Sequence, residues 1–224
     1  MGLLKSSIGK KFAMAISALF LMVFLLQHFF INLTSIFPND GKTFNALSHF
    51  MGTNPIVQYA IQPILIFGVC FHFVMGLVLE AKNWSARKIS YAKNNGNANS
   101  TWMSRNMIWT GAAILAFVVL HFIDFWFPEI NTKFIQGDWS GLHDGELRYF
   151  HELQHKFLSP IRVGAYVIAF VFLALHLLHG FNSAFQSVGA NNKYTKGLKT
   201  FSKIYAIGIP VGFIIIALFH HFNH

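Results

Sequence analysis

Five runs of this chain, at 12–31, 57–79, 107–123, 163–185 and 204–222, contain no Asp, Glu, Lys or Arg. Each approaches the roughly 20 apolar residues that an α-helix needs to cross the hydrocarbon layer of a bilayer. Inside that layer every backbone N–H and C=O must find a partner within its own segment, so helices and closed barrels are the only solutions. Barrel strands are about 10 residues long and alternate in polarity, which these runs do not. The third run continues past Asp124 to Phe127, so its span is taken as 107–127. The fold class expected is all-α: a polytopic membrane protein of five transmembrane helices, forming one integral-membrane domain over residues 1–224. Hydrophobic residues make up 54% of the chain and charged residues 11%, against about 25% charged in a soluble domain. Pro63 and Pro210 fall inside spans two and five, where kinks are tolerable. The first run is longer than the apolar region of a signal peptide and no clear small-x-small cleavage site follows it, so it is counted as a helix.

The net charge of +9 is unevenly spread, and in a membrane protein its placement matters more than its size. Lys5, Lys10 and Lys11 precede span one; Lys82, Arg87, Lys88, Lys93 and Arg105 lie between spans two and three; Lys193, Lys196, Lys199 and Lys203 lie between four and five. These are 12 of the 17 basic residues. The other two connections hold five, diluted by most of the acids. The positive-inside rule then puts the N-terminus in the cytoplasm and the C-terminus outside, and nothing calls for nucleic acid as a partner. In the outer connections, 43–51 and 145–158 mix aromatic and polar residues at helical spacing and are expected as short amphipathic helices lying flat on the outer face. The stretch 94–100 (NNGNANS) is low-complexity. The lone cysteine, Cys70, excludes an internal disulfide and a cluster held by several cysteines.

Four spans each carry a histidine deep inside: His28, His72, His121 and His179. Ionisable side chains are costly in the hydrocarbon layer and usually mark function. Imidazole is a usual axial ligand of haem iron. Two axial imidazoles leave no open position for oxygen chemistry, so the implied task is electron transfer. Orientation sorts the four by depth. Spans one and three run outward; His28 lies 17 residues beyond Lys11 and His121 lies 16 beyond Arg105. At about 1.5 Å per residue both sit roughly 25 Å from their inner anchors. Spans two and four run inward; His72 lies 10 residues before Lys82, and His179 comes late in its span. His28 and His121 thus form an outer pair, His72 and His179 an inner pair, as two stacked bis-histidine haems in a four-helix bundle would require. Gly68, His72 and Gly76 share one helix face, and Gly180 follows His179, leaving room for a flat macrocycle; small residues also serve plain helix packing. His176, three residues before His179, lies on nearly the same face, and depth does not separate the two.

The chain resembles the di-haem cytochrome b membrane subunit of succinate dehydrogenases and fumarate reductases, in the form with a single five-helix subunit. The likeness runs over nearly the whole chain. Its opening segment, Ser6-Ser7-Ile8-Gly9-Lys10-Lys11-Phe12 with Met14-Ala15, is similar to the family's. Leu178-His179-Gly180-Phe181 with Ser183-Ala184-Phe185-Gln186 is similar to the family's fourth-helix ligand motif. The resemblance implies one ligand in each of the first four helices: His28 and His121 on the outer haem b, His72 and His179 on the inner haem b, with His179 favoured over His176. It implies a flavoprotein subunit, which interconverts succinate and fumarate, and an iron–sulfur subunit, both docked on the cytoplasmic side of a bacterial inner membrane. This chain would then hold no dicarboxylate site. It would pass electrons through the inner and outer haems to a quinone, typically menaquinone, as the quinone-reactive part of a respiratory-chain complex. One position departs from the pattern: some fumarate-reducing members carry a glutamate two residues before the fourth-helix histidine, and Leu177 stands there. The proton route and the working direction stay open on this account, as does the oligomeric state.

A quinone that takes two electrons also takes two protons, so an ionisable group belongs near it. Candidates are Asp124, three residues past His121, and His49, His151, Glu152 and His155 in the outer connections; each is ordinarily a solvated or interfacial side chain. His220, His221 and His224 are expected at the surface. Gln27 and Asn32, flanking His28, are expected to bond neighbouring helices. Among rivals, a histidine-box di-iron enzyme would use His151-x-x-x-His155 and His176-x-x-His179, but three deep histidines stand alone in separate helices. A di-haem anchor of a hydrogenase or formate dehydrogenase would share fold and cofactors with a different partner. A transporter is disfavoured because the spans lack an acidic intramembrane site or an obvious inverted repeat.

Overall fold

The computed structural model describes residues 6–39, 41–85, 105–190 and 194–223. The 94–100 stretch, the basic residues Lys5, Arg87, Lys88, Lys93 and Lys193, and His224 lie outside the described residues. The described residues form seven helices: α1 Ser7–Ile36, α2 Lys42–Thr53, α3 Val57–Ser85, α4 Met107–Ile135, α5 Tyr149–Phe157, α6 Pro160–Ser187 and α7 Thr195–Phe222. α1, α3, α4, α6 and α7 are long and apolar enough to cross a membrane. The protein is all-α and its architecture is that of a multi-pass membrane protein.

The helices outrun the uncharged runs because their polar ends are built to start them. Ser6 caps α1 by accepting the Gly9 N–H at 2.9 Å, and Ser159 caps α6 ahead of Pro160 by accepting the Arg162 N–H. A serine cap satisfies one of the donors that a helix leaves unpaired at its first turn, and proline at N1 loses nothing there. Two prolines instead shape helix interiors. Pro63 and Pro128 have no N–H to return to the preceding turn, and each follows a widened π turn, Val57–Ile61 and Phe122–Trp126. A third π turn, Asn131–Ile135, ends α4. The expected amphipathic helix at 145–158 is shorter than its pattern. A two-stranded hairpin, β1 Leu142–His143 with β2 Glu146–Leu147, precedes α5. It turns on Asp144 and Gly145, both at positive φ, the arrangement an Asp-Gly hairpin turn favours.

α6 and α7 make the most extensive helix pair, α1 packs on both, and α4 packs on α6. α3 leans chiefly on α1 and touches α4 lightly. Burial follows this order: 44% of the apolar window of α7 is inside the molecule against 11% for α3 and α4. The core joins Met22, Tyr166, Phe170, Leu177, Phe181 and Phe213. Gly212 lies so close to α1 that a Cβ there would overlap the ring of Phe29. α7 is therefore an integral part of the bundle rather than a helix outside a four-helix unit.

α2, the hairpin and α5 gather at one end, which is the capped end of the bundle. Asn45 donates to the Leu147 carbonyl at 3.0 Å and accepts the Phe150 N–H at 2.8 Å. Lys133, 2% exposed, bonds the Gly52 carbonyl and pairs with Glu129 at 2.5 Å. Arg148 bridges Glu129 and Glu152, the latter at 2.6 Å. Buried charges persist only when paired, and these four compensate one another. His220 corrects an expectation: it is fully buried, not at the surface. Its Nε2 lies 2.8 Å from Ser35 Oγ, tying α7 to the end of α1. His221, half-buried, bonds the Phe157 carbonyl through Nδ1 at 2.9 Å.

Candidate functional site

α1 and α4 bring His28 and His121 together. Their ring centroids are 5.8 Å apart with planes at 83°. Around them stand Phe24 and Phe213 against His28, and Phe117, Phe125 and Tyr166 against His121. Asn32 turns back on its own helix, donating to the His28 carbonyl at 2.8 Å and lying 3.4 Å from His28 Nε2. Gln27 reaches α2 instead, at the Met51 sulfur. His121 Nδ1 is buried and has no hydrogen-bond partner.

One turn beyond His121, the π turn Phe122–Trp126 carries Asp124 into the interior. Asp124 is 2% exposed, which corrects its expected place at an interface. The reason is across the helix contact: Arg162 lies 3.0 Å from Oδ1 and the Tyr166 hydroxyl donates to Oδ2 at 2.9 Å. Paired and hydrogen-bonded, the carboxylate can stay buried.

Deeper in the bundle α3 and α6 bring a second pair together. The ring in contact with His72 is that of His176, at 6.4 Å and 70°; His179, one turn further along α6, is half-buried. Ser17 Oγ lies 2.8 Å from the Met14 carbonyl and 3.1 Å from His72 Nδ1. Thr110 Oγ1 lies 2.9 Å from the Met107 carbonyl and 3.2 Å from His176 Nδ1. Each hydroxyl orients its imidazole through Nδ1, and where the ring Nδ1–H is the donor, Nε2 keeps the lone pair with which imidazole ligates a metal.

The glycines behave differently from expectation. A Cβ on Gly68 would press on the Phe20 ring at 2.9 Å, and one on Gly76 would touch the Met14 methyl at 3.6 Å, so side chains of α1 occupy that face. A Cβ on Gly180 would meet Met107. Gly111 on α4 does face a deep imidazole: a Cβ there would lie 3.6 Å from His176 Cε1. Thr110-Gly111, a hydroxyl beside a small residue in an apolar run, was the available signal and is easily passed over.

At the capped end His49 faces Tyr149, with rings 6.3 Å apart, and His49 Nδ1 and the Tyr149 hydroxyl are buried without partners. Burial, with the Glu129 charge adding to it, pushes the Tyr149 phenol up to about 12. Glu152 is engaged by Arg148, while His151 and His155 are exposed. Among the described residues no three of His, Cys, Asp and Glu converge as a metal-binding group, which removes support from a histidine-box di-iron centre.

Comparison with family models, curated proteins and solved structures finds no match. The case for function therefore stands on the site. Its residues are two pairs of imidazoles in ring contact, His28 with His121 and His72 with His176, each bridging two helices.

Proposed function

We propose that this chain is the membrane-anchor cytochrome b subunit of a succinate:quinone oxidoreductase, passing electrons between an iron–sulfur subunit and a menaquinone-type quinone. The observation that carries the proposal is the convergence of deep histidines from four spans into facing pairs. His28 and His121 would hold one haem b as the outer pair; His72, with a histidine of α6, would hold the other. Bound haem with two axial imidazoles and no open position supplies one-electron transfer. The protein's part is to hold the imidazoles in a water-poor interior, aromatic-lined around His28 and His121, and to orient His72 and His176 through hydroxyls on Nδ1.

For the inner place the family likeness assigns His179. A second assignment, His176, is favoured by its ring contact with His72 and by the Thr110 hydroxyl that orients its ring. The proposal also takes the chain to lie in a bacterial cytoplasmic membrane with its N-terminus in the cytoplasm. The flavoprotein and iron–sulfur partners would dock there, against the basic connections. The capped end would face outward, and two quinone-side candidates belong to that half: Asp124, paired with Arg162 and Tyr166, and His49, which faces Tyr149. His151 and His155 have weaker standing.

The test is purification from the native membrane. Co-purification of a flavoprotein and an iron–sulfur protein, with a b-type spectrum reducible by succinate, is the expected result; assays of succinate oxidation and fumarate reduction read the direction. A b-type spectrum with a hydrogenase or formate dehydrogenase partner would keep the haems and replace the partner.

A further inference from the structure

The deep rings are not all held in the same way. His72 and His176 are each fixed by a hydroxyl on Nδ1, and His28 has Asn32 beside its Nε2. Metal-binding histidines are normally oriented by a hydrogen bond on the ring nitrogen that does not hold the metal, as the two hydroxyls at Nδ1 would supply. His121 departs from the rule, because its Nδ1 is buried and unbonded. The plane of its ring is set by what it packs against. Phe117 and Phe125, four residues to either side, belong to the same helix and travel with it. His28 is the opposing ring. The remaining wall is Tyr166 from α6.

Tyr166 is itself fixed. It is 3% exposed, wedged edge-on between Phe117 at 4.9 Å and Phe157 at 5.2 Å. Its hydroxyl is bound by Asp124, whose other oxygen is held by Arg162. The π turn after His121 is what delivers the carboxylate to that spot, and such turns recur at functional sites. We propose that Asp124 and Arg162 are positioning residues for the outer haem ligand: by pinning Tyr166 they fix the His121 imidazole nearly perpendicular to that of His28. The inference rests on the haem proposal. It adds a role for an intramembrane carboxylate, a class of residue rarely kept without function.

The angle between axial imidazole planes has its own readout. In ferric low-spin haem, near-perpendicular rings give a strongly anisotropic electron paramagnetic resonance signal with a high largest g value, and the value falls as the rings approach parallel. The experiment is low-temperature resonance on the purified full chain with its haems, the outer signal being the one lost in His28→Leu. Tyr166→Phe keeps the aromatic wall and removes only the bond to Asp124; Asp124→Asn weakens the same bond from the other side. Both are expected to move the outer signal to lower g and leave the inner signal in place. The double variant is expected to go no further than either single one, and Arg162→Lys, which keeps a cation beside the carboxylate, to stay near wild type. An unmoved outer signal in Tyr166→Phe with both haems bound overturns the inference, as does an equal movement of both signals. A wild-type protein without b-type haem overturns the proposal beneath it, a result separable from either.

Discussion

The two histidine pairs solve one problem in different ways. At the pair formed by His72 and His176, each ring is held by a hydroxyl from a neighbouring element, Ser17 on α1 and Thr110 on α4. At the pair formed by His28 and His121, packing does the holding: five aromatic rings surround the imidazoles, and the polar anchoring is displaced to Asp124, Arg162 and Tyr166. A ring held by a hydrogen bond keeps its tautomer and its orientation together. A ring held by packing depends on how rigid its walls are, and here the wall is anchored on the buried Asp124 carboxylate, which is paired with the partly exposed Arg162. The first kind of site should respond locally to mutation, the second through its neighbours.

The largest expected effects separate the pairs outright. Replacing His28 or His121 by Leu should remove about half of the b-type absorbance and spare the inner haem, as read in reduced-minus-oxidised spectra; equal loss from both sites would break the pairing. At the inner site His72→Leu should remove the other half. The same loss is expected in His179→Leu, and its appearance in His176→Leu instead would assign the ligand to the ring that faces His72.

Next comes stability. Asp124→Ala leaves the Tyr166 hydroxyl buried without a partner and Arg162 without its counter-ion. The expected cost is about 1–3 kcal/mol, the usual penalty for orphaning a buried polar group, visible as a lower melting temperature in detergent. Ser17→Ala removes one hydrogen bond of the other site and should cost about 0.5–1.5 kcal/mol, with any spectral change confined to the inner haem. If Ser17→Ala disturbs the outer haem as well, the two sites are less independent than their anchoring implies.

The smallest effect concerns the capped end. Burial raises the folded-state value of Tyr149 to about 12 from an ordinary value of 10.0. A raised value means that the neutral phenol contributes stability below pH 10, and that this contribution is lost as the pH climbs through about 12. The melting temperature should fall over that window, and less steeply in Tyr149→Phe. Identical profiles would deny Tyr149 that part.

Much of this fold was legible in the sequence. The uncharged runs locate all five long helices, and the expected neighbours His28 and His121 are in ring contact. What escaped is instructive. Asp124 and His220 read as surface residues because their partners, Arg162 with Tyr166 and Ser35, come from distant parts of the chain. The π turns follow from Pro63 and Pro128 only after the helices are known to continue through them. Gly68 looked like space beside an imidazole, yet Phe20 fills it. The choice between His176 and His179 turns on a rotation of one helix by less than a turn, which hydropathy does not encode.

The central claim is that facing histidine pairs hold two b-type haems. It is tested most directly by measuring haem content and the reduced-minus-oxidised spectrum of the purified wild-type chain. Two haems b per chain, with bis-imidazole low-spin spectra, are predicted. A chain that purifies folded without b-type haem, and takes up none when haem is added, would contradict it.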